Sequence, residues 1–279
     1  MNKKVGKSEA GGKLTAGPDS QVEQTASENR ELSYAGVKGN VALHGRIALV
    51  TGASSGIGRA VGLELARAGA HLCAVGRNYP ALAETVTAAR QYSDATIFQI
   101  DLTKERDLEP LLQFLRSAGR LDILIHCAGV ILPNQMKRAR VEDMDLQYAT
   151  NVRAPYVLTQ SVMELLEAAA GQVVFINSSA ALTAKRPEIG QYAATKHALK
   201  ALADSLREEV NPRGIRVLTL YLGRTATPMQ KALFQQEGRE YSPETLLQPE
   251  DVAAVIVHTL MLPPTAEVTD ISIRPMHKT

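Results

Sequence analysis

Apolar residues recur along the chain in two alternating patterns. Short apolar runs rich in β-branched residues are typical of buried strands, whereas apolar positions three and four residues apart are typical of helices. The predicted strands are residues 46–51, 71–75, 95–100, 121–126, 172–177, 215–222 and 268–273. The predicted helices are residues 57–68, 80–91, 104–118, 141–169, 187–210 and 249–262.

Strands that alternate with helices of this length indicate right-handed βαβ units, which build a parallel sheet covered by helices on both faces. We therefore predict an α/β fold with a doubly wound, Rossmann-like parallel sheet of about seven strands. Residues 41–279 are assigned to this single domain, because no repeat or change of composition divides them.

Residues 1–40 have few apolar positions and no periodicity. Such a stretch buries too little surface to offset the entropy lost on ordering, so we expect a disordered N-terminal extension. A secretory signal is not expected, because the segment has no apolar region of the required kind. A transit peptide is disfavoured by the five acidic residues before Leu32.

Composition limits the classes of partner. A net charge of +2 without a basic stripe gives no reason to expect nucleic acid. No apolar run approaches the roughly 18 residues of a membrane helix, so no membrane partner is expected and a cytoplasmic location is the default. Cys73 and Cys127 lie in apolar runs and are predicted to be buried, reduced thiols.

A glycine-rich turn reading T-G-A-S-S-G-I-G occupies residues 51–58, between the first strand and the first helix. Backbone N–H groups and the positive end of the helix dipole meet there, which predicts a pyrophosphate site. The spacing is G-x-x-x-G-x-G rather than G-x-G-x-x-G, and alone it would be compatible with an ordinary turn. The residues assigned to the coenzyme are Gly52, Ser54, Ser55, Gly56, Ile57 and Gly58.

The end of the second strand indicates which coenzyme is bound. Folds that bind NAD often place a carboxylate there for the ribose 2′-hydroxyl, but this chain has Gly76 and then Arg77. A guanidinium binds a 2′-phosphate that a carboxylate would repel, and Ser54 would add a donor. We predict NADP(H) rather than NAD(H); the alternative is that Arg77 is only a solvated loop charge.

Two further loops are assigned to the adenosine half of the coenzyme. Asp101, followed by Leu102, ends the third strand and is placed to accept from the adenine amino group, although it would also serve as a helix N-cap. The small residues Ala128 and Gly129 follow the fourth strand and would let the nucleoside lie against the backbone. His126 is not expected to bind a metal, because no second ligand has a suitable spacing.

Tyr192 and Lys196 stand four residues apart in a predicted helix and therefore share one face. An ammonium beside a phenol favours the phenolate and lowers its pKa from about 10, which gives an acid or base usable near neutral pH. The pair on its own is weak evidence, because Tyr-x-x-x-Lys occurs on many helix surfaces.

Taken together, the glycine turn, Ala128-Gly129, Asn151, Ser179, Tyr192 and Lys196 resemble the short-chain dehydrogenase/reductase family in its single-domain form, over roughly residues 43–275. Ser179 precedes Tyr192 by thirteen residues, the spacing usual in that family.

The resemblance implies a role for each of these residues. Tyr192 would exchange a proton with the substrate oxygen, and Lys196 would lower the pKa of Tyr192 and bond the nicotinamide ribose. Ser179, rather than Ser178, would hold the substrate oxygen. Asn151 would anchor a water that leads to the lysine.

The loop after the sixth strand matches the family in part. Thr225 and Thr227 are assigned to the coenzyme, Thr227 by its spacing as a contact to the nicotinamide carboxamide. Leu222 stands where the family usually has proline. His126-Cys127 replaces two asparagines whose side chain usually ties neighbouring strands together, which puts that support in doubt.

Residues 226–242 correspond to the segment that covers the substrate in the family. Met229, Leu233, Phe234 and Tyr241 are apolar candidates for substrate contact, or else packing residues. Arg224 would pair either with an acidic substrate or with the coenzyme phosphates.

The resulting prediction is an NADP(H)-dependent carbonyl reductase or alcohol dehydrogenase acting on a small-molecule carbonyl or secondary alcohol. The alternatives are a non-catalytic coenzyme-binding regulatory or scaffold protein, and an epimerase or dehydratase with bound coenzyme. The helices at 141–169 and 187–210 correspond to the family's usual subunit contact, so a homodimer or homotetramer is expected.

Overall fold

The computed structural model describes residues 42–277, and the extension predicted for residues 1–40 lies outside them. The strands are β1 (Ile47–Thr51), β2 (His71–Gly76), β3 (Ala95–Gln99), β4 (Ile123–His126), β5 (Gln172–Ser178), β6 (Arg216–Leu222) and β7 (Asp270–Ile273). The helices are α1 (Gly56–Arg67), α2 (Tyr79–Ala89), α3 (Glu109–Ala118), α4 (Val141–Tyr148), α5 (Ala154–Ser161), α6 (Met163–Ala169), α7 (Gly190–Val210), α8 (Pro228–Gln236) and α9 (Pro249–Leu260).

The seven strands form one sheet in the order β3-β2-β1-β4-β5-β6-β7, and every pairing is parallel. The predicted Rossmann-like sheet is confirmed. The strand order reverses between β1 and β4, and ligands of such sheets bind in the crevice outside the carboxyl ends of the strands at this point. The fold therefore directs the loops after β1, β4, β5 and β6 toward one site.

Buried apolar side chains form a layer on each face of the sheet. Successive residues of β1 point to opposite faces, so Val50 joins one layer and Leu49 the other. Helices α1, α2 and α9 cover the face of Val50, whereas α3, α5 and α7 cover the face of Leu49. This two-sided burial explains why the strands read as continuous apolar runs.

The single helix predicted over residues 141–169 is wrong, because the structure divides it into α4, a π-helical turn (Ala149–Arg153), α5 and α6. Pro155 lies in the first turn of α5 and has no N–H to donate to the preceding turn, which favours a local change of hydrogen-bonding pattern. Val162, at φ −115° and ψ 8°, separates α5 from α6.

Other helix ends differ from prediction by a few residues. Helix α7 begins at Gly190 rather than at residue 187, because Glu188 has a left-handed backbone with φ +69°. The helix predicted from residue 104 starts as a 3₁₀ turn (Glu105–Leu108) before α3. The segment at 226–242 contains α8.

None of the helices in residues 42–277 is both long and apolar enough to cross a bilayer. Cys73 is a buried free thiol, as predicted, whereas Cys127 is only partly buried and lines the cleft described below.

Candidate active site

A cleft of about 530 Å³ lies at the carboxyl ends of the strands, within the usual size range of small-molecule sites. All but one of the predicted coenzyme residues line it: Gly52, Ser54, Ser55, Gly56, Ile57, Gly58, Arg77, Asp101, Leu102, Ala128, Gly129, Tyr192, Lys196, Thr225 and Thr227. Asn151 lies directly behind the lining, since a Cβ on Gly129 would stand 3.3 Å from its Oδ1.

The glycine turn has the geometry that its sequence predicts. Gly52 and Gly56 have φ of +69° and +51°, a region that side chains disfavour. A Cβ on Gly58 would lie 2.3 Å from the carbonyl oxygen of Gly52, so only glycine allows the helix to pack this closely on the turn. Ser55 occupies the N-cap of α1 without a side-chain capping bond in the described residues, which leaves the first N–H groups available to a phosphate.

Thr51 and His126 supply the strand support that the missing asparagines put in doubt. The Thr51 hydroxyl donates to the carbonyl of Ile125 at 3.2 Å and accepts from the N–H groups of Cys127 at 3.0 Å and Ala128 at 3.1 Å. It thereby joins the ends of β1 and β4.

His126 ties β4 to its other neighbours. Its Nε2 lies 2.8 Å from the Thr159 hydroxyl of α5, and its ring stacks on Phe175 of β5 with 4.9 Å between centroids. Burial lowers the pKa of His126 to about 3, so the ring is neutral at physiological pH.

Arg77 and Ser54 flank the same open position after β2. A Cβ on Gly76 would lie 3.5 Å from the Ser54 hydroxyl, and the exposed Arg77 follows directly. The Gln99 side chain donates to the Arg77 carbonyl at 3.1 Å and fixes this turn. Arg77 and Ser54 both line the cleft at this end.

Asp101 does not occupy a helix N-cap, since Lys104 holds that position before the 3₁₀ turn, but its side chain bonds the turn after β3. Its Oδ1 accepts from the Thr103 hydroxyl at 2.7 Å and the Thr103 N–H at 3.2 Å, and Lys104 lies 3.4 Å from Oδ2. The hydrogen bond from Thr103, with the charge of Lys104 in support, holds the pKa of Asp101 below its usual range. The side chain also lines the cleft.

Tyr192 and Lys196 share one face of α7, as predicted. The Lys196 Nζ lies 5.8 Å from the centroid of the Tyr192 ring and donates to the carbonyl of Ile176 at 3.0 Å. Lys196 is buried, whereas Tyr192 is partly buried at the cleft wall.

The predicted lowering of the Tyr192 pKa is wrong. Burial raises the pKa of Tyr192, and a hydrogen bond with Ser178 offsets this only in part. Burial also lowers the pKa of Lys196 to about 8. Loss of hydration disfavours the charged form of each group, so Tyr192 is a protonated phenol at neutral pH.

Ser178 and Ser179 both line the cleft, and Ser178 is the serine whose hydrogen bonding offsets part of the rise that burial causes in the pKa of Tyr192. The preference for Ser179 over Ser178 stays a prediction. Ser178 ends β5, and its side chain accepts from the Ala180 N–H at 3.2 Å. Ser179 begins a 3₁₀ turn and is exposed.

Asn151 is buried in the π-helical turn and braces the site from behind. Its Oδ1 accepts from the Val130 N–H at 2.8 Å, and its Nδ2 donates to the Val130 carbonyl at 2.8 Å and to the Thr195 hydroxyl at 3.1 Å. Thr195 in turn donates to the carbonyl of Tyr192 at 2.7 Å. A Cβ on Gly129 would lie 4.0 Å from the Lys196 Nζ, so this loop also faces the lysine.

Sequence reasoning missed Asn177. Its side chain donates to the Lys196 carbonyl at 3.1 Å and accepts from the Ser178 N–H at 2.8 Å, so it fixes the end of β5 against α7. A buried amide inside an otherwise apolar strand was the available signal, since buried polar groups are hydrogen-bonded.

The loop after β6 closes on the glycine turn. Thr227 caps α8 by accepting from the Gln230 N–H at 3.2 Å, and a Cβ on Gly56 would lie 2.9 Å from its methyl group. Thr225 donates to the Gly223 carbonyl at 3.2 Å.

The apolar candidates of the covering segment divide between two roles. Met229 and Leu233 line the cleft. Phe234 packs instead against Tyr241, with 5.6 Å between ring centroids, and is buried. Tyr241 and Phe234 therefore support the segment rather than face a ligand.

Comparison with known proteins places this architecture in a family. The model of the short chain dehydrogenases matches residues 46–238. An uncharacterized short-chain type dehydrogenase/reductase of Sinorhizobium fredii is 32% identical over 82% of this chain and 91% of its own length. The chain belongs to the short-chain dehydrogenase/reductase family of oxidoreductases.

Solved structures show the same fold. A short chain dehydrogenase from Burkholderia cenocepacia, in complex with NADP, is similar with a TM-score of 0.73 and 27% identity, covering 83% of this chain and 97% of that one. The NADP complex of Pseudomonas aeruginosa RhlG has a TM-score of 0.71 and 28% identity, covering 85% of this chain and 98% of that one.

Proposed function

We propose that the protein is an NADP(H)-dependent oxidoreductase that interconverts a small carbonyl compound and the corresponding alcohol. The observation that carries this proposal is that Tyr192, two serine hydroxyls (Ser178 and Ser179) and Lys196 line one cleft at the carboxyl ends of the strands. A proton donor and a second hydroxyl at one point are what a carbonyl oxygen needs as it becomes an alcohol.

The residues of the cleft fit a phosphorylated dinucleotide. Gly52 and Gly56 open the backbone N–H groups at the start of α1 to a pyrophosphate, and Gly129 leaves free the space in front of Lys196 that a Cβ would fill. Arg77 with Ser54 would hold a 2′-phosphate. The relatives from Burkholderia cenocepacia and Pseudomonas aeruginosa were solved with NADP, which supports the same coenzyme here.

When bound, the reduced nicotinamide supplies a hydride to the carbonyl carbon. The Tyr192 hydroxyl gives its proton to the substrate oxygen, and its raised pKa keeps that proton in place until the oxygen becomes basic. The Ser178 hydroxyl donates a hydrogen bond to the same oxygen and stabilises its developing charge. Lys196, anchored on the Ile176 carbonyl, holds its ammonium behind the phenol. Oxidation of the alcohol uses the reverse proton transfer.

Replacement of the phenol tests the proposal. Tyr192→Phe should lower turnover of the best ketone or aldehyde by roughly a hundredfold or more, the usual worth of a positioned acid. NADPH affinity, measured by fluorescence titration, should stay nearly unchanged. Tyr156→Phe, at an exposed tyrosine of α5, is the control and should behave as wild type.

Three results would contradict the proposal in different ways. Retained turnover in Tyr192→Phe would mean that another group is the acid. Tight NADPH binding with no oxidation of NADPH by any carbonyl substrate would favour a non-catalytic binding protein. Product formed without net NADPH consumption would favour an epimerase or dehydratase.

A further inference from the structure

We propose that the substrate carries a carboxylate, which Arg224 and Arg186 bind at the end of the cleft beside the covering segment, residues 226–242. This inference rests on the proposed function and narrows its substrate class. It follows from unpaired donors, an excess of positive charge and the register of β5 and β6.

Arg224 lines the cleft and carries a buried donor that has no partner in the described chain. Its side chain is 13% exposed, its Nη2 donates to both oxygens of Glu237 at 3.0 and 2.8 Å, and its guanidinium stacks on Phe234 at 4.6 Å. The other terminal nitrogen, Nη1, is buried and has no hydrogen-bond partner within residues 42–277. Because buried N–H groups are rarely left unpaired, this nitrogen indicates that an acceptor outside the described chain belongs beside Arg224.

Gln230 carries a second buried N–H donor without a partner in the described chain. It lies in the first turn of α8, its backbone N–H is taken by Thr227, and its side-chain Nε2 is also buried without a partner in the described chain. Arg224 and Gln230 both line the cleft, and both unpaired atoms are N–H donors. A ligand that satisfies them must offer acceptor oxygens.

The charge at this place is positive. Arg186, Arg224 and Arg239 all pair with the single carboxylate of Glu237, which leaves a formal surplus of two positive charges. Lys185 lines the cleft beside Arg186. Burial lowers the pKa of Arg224, and the charge of Arg186 adds to this, whereas Glu237 offsets it only in part. An incoming anion would relieve the repulsion between these cations.

Sheet register places the cluster near the reacting oxygen. Ser178 of β5 and Leu222 of β6 are paired neighbours, and Arg224 follows Leu222 by two residues, a distance of at most about 7 Å along the chain. The Arg186 loop leads from Ser178 to Tyr192 and meets α8 through Glu237. A carboxylate bound here lies within a few bonds of a carbonyl held by Ser178 and Tyr192. The predicted substrate class is an oxo acid or the matching hydroxy acid.

Matched substrates and matched variants test this. Wild-type protein is assayed with NADPH on 2-, 3- and 4-oxo acids and on the methyl ester of each, which keeps the carbonyl and removes the charge. We expect the preferred acid to exceed its ester in kcat/KM by roughly ten- to a hundredfold, as a charged hydrogen bond provides. Arg224→Gln and Arg186→Gln should each bring the ratio of kcat/KM for acid over ester down toward one.

Arg239→Gln is the control. Arg239 pairs with the same Glu237 carboxylate, but it does not line the cleft, so its replacement should leave the acid-to-ester ratio at the wild-type value. Arg186→Gln is the variant to rely on if Arg224→Gln fails to fold, because the Arg186 side chain is 43% exposed.

Binding separates this inference from the proposed function. Tyr192→Phe protein loaded with NADPH is titrated with the acids and the esters, and selective binding of the acid supports the inference even if no compound is reduced. Equal binding of acid and ester would overturn it. An Arg224→Gln variant that loses NADPH affinity but keeps acid selectivity would also overturn it, because Arg224 would then serve the coenzyme phosphates.

Discussion

Ser178 and Ser179 are neighbours in sequence, but the end of β5 gives them different surroundings. Ser178 ends β5 and is half-buried, and its hydrogen bonding offsets part of the rise that burial causes in the pKa of Tyr192, whereas Ser179 is exposed at the start of a 3₁₀ turn. Ser178→Ala should lower kcat by roughly a hundred- to a thousandfold, as loss of one donor to a developing oxyanion does. Ser179→Ala is the matched control and should stay close to wild type. Steady-state kinetics on one ketone decide this, and a larger loss in Ser179→Ala would confirm the prediction made from spacing.

Coenzyme choice is also set by single residues. Arg77→Asp replaces a guanidinium at the cleft with a carboxylate that repels a 2′-phosphate and accepts from a 2′-hydroxyl. The ratio of kcat/KM for NADPH over NADH should fall by roughly ten- to a hundredfold.

Arg106→Asp changes the charge by the same amount at an arginine that is 84% exposed and does not line the cleft. It should leave the ratio unchanged. An unaltered ratio in Arg77→Asp would mean that this side chain is only a solvated loop charge.

At the residue scale, spacing predicted which side chains share a face but not the direction in which their pKa values shift. Four positions along a helix place Tyr192 and Lys196 on one face wherever that helix lies. The direction of the Tyr192 pKa shift depends on burial, and burial depends on the loops that close over α7. The choice between Ser178 and Ser179 depends on which hydroxyl the end of β5 directs toward Tyr192 across the loop before α7. Neither property is local in sequence.

At the scale of elements, β4 is held to its neighbours by a histidine where the family usually has an asparagine. Burial lowers the pKa of His126 to about 3 from an ordinary value near 6.5. Between these values the unfolded chain takes up a proton on this group and the folded chain does not. The free energy of unfolding therefore falls as the pH falls from about 6.5, by about 1.4 kcal/mol per pH unit.

Replacing His126 by asparagine removes this titration and keeps a partner for Thr159. Urea unfolding at pH 7.5 and pH 5.0 gives the loss of stability of each protein over that interval. The wild-type loss should exceed that of His126→Asn by about 2 kcal/mol, from 1.5 pH units below the ordinary pKa. Equal losses in the two proteins would show that His126 is protonated in the folded state.

The π-helical turn shows why element boundaries were predicted less well than element types. Apolar spacing over residues 141–169 is continuous, so the pattern predicts one helix. The interruption comes from Pro155, which lacks a donor, and is accommodated by Asn151, whose side chain bonds Val130 across the cleft wall. That bond joins positions 21 residues apart and leaves no trace in local periodicity.

For the whole molecule, the sheet was predictable because it is built from repeated strand–helix units that follow the same connection rule. Each buried strand is followed by a helix long enough for a right-handed crossover, and seven strands in the observed order satisfy that rule throughout. The place of the site follows from the same topology, since the carboxyl ends of parallel strands meet at the reversal of strand order. The charge of the covering segment did not follow, because Arg186, Arg224 and Arg239 converge from separate elements on Glu237.

The exposed face of α4 and α5 carries the last prediction, which concerns assembly. Val141, Met144 and Tyr148 are spaced as one stripe on α4, and each is between 46% and 69% exposed; Tyr156 of α5 is 52% exposed. Large apolar side chains grouped on one surface favour contact with another protein, and a second copy of this chain is the partner expected from the family resemblance.

The double variant Met144→Glu/Tyr148→Glu places charge on this stripe and should convert a dimer or tetramer to a smaller species in light scattering coupled to size exclusion. Tyr92→Glu is the control, because Tyr92 is similarly exposed. It lies under the Arg67 guanidinium, whose positive charge would attract the new carboxylate. Circular dichroism checks that both variants are folded. If the wild-type protein is already a monomer at micromolar concentration, or if the double variant keeps the wild-type mass, then α4 is not the contact between subunits.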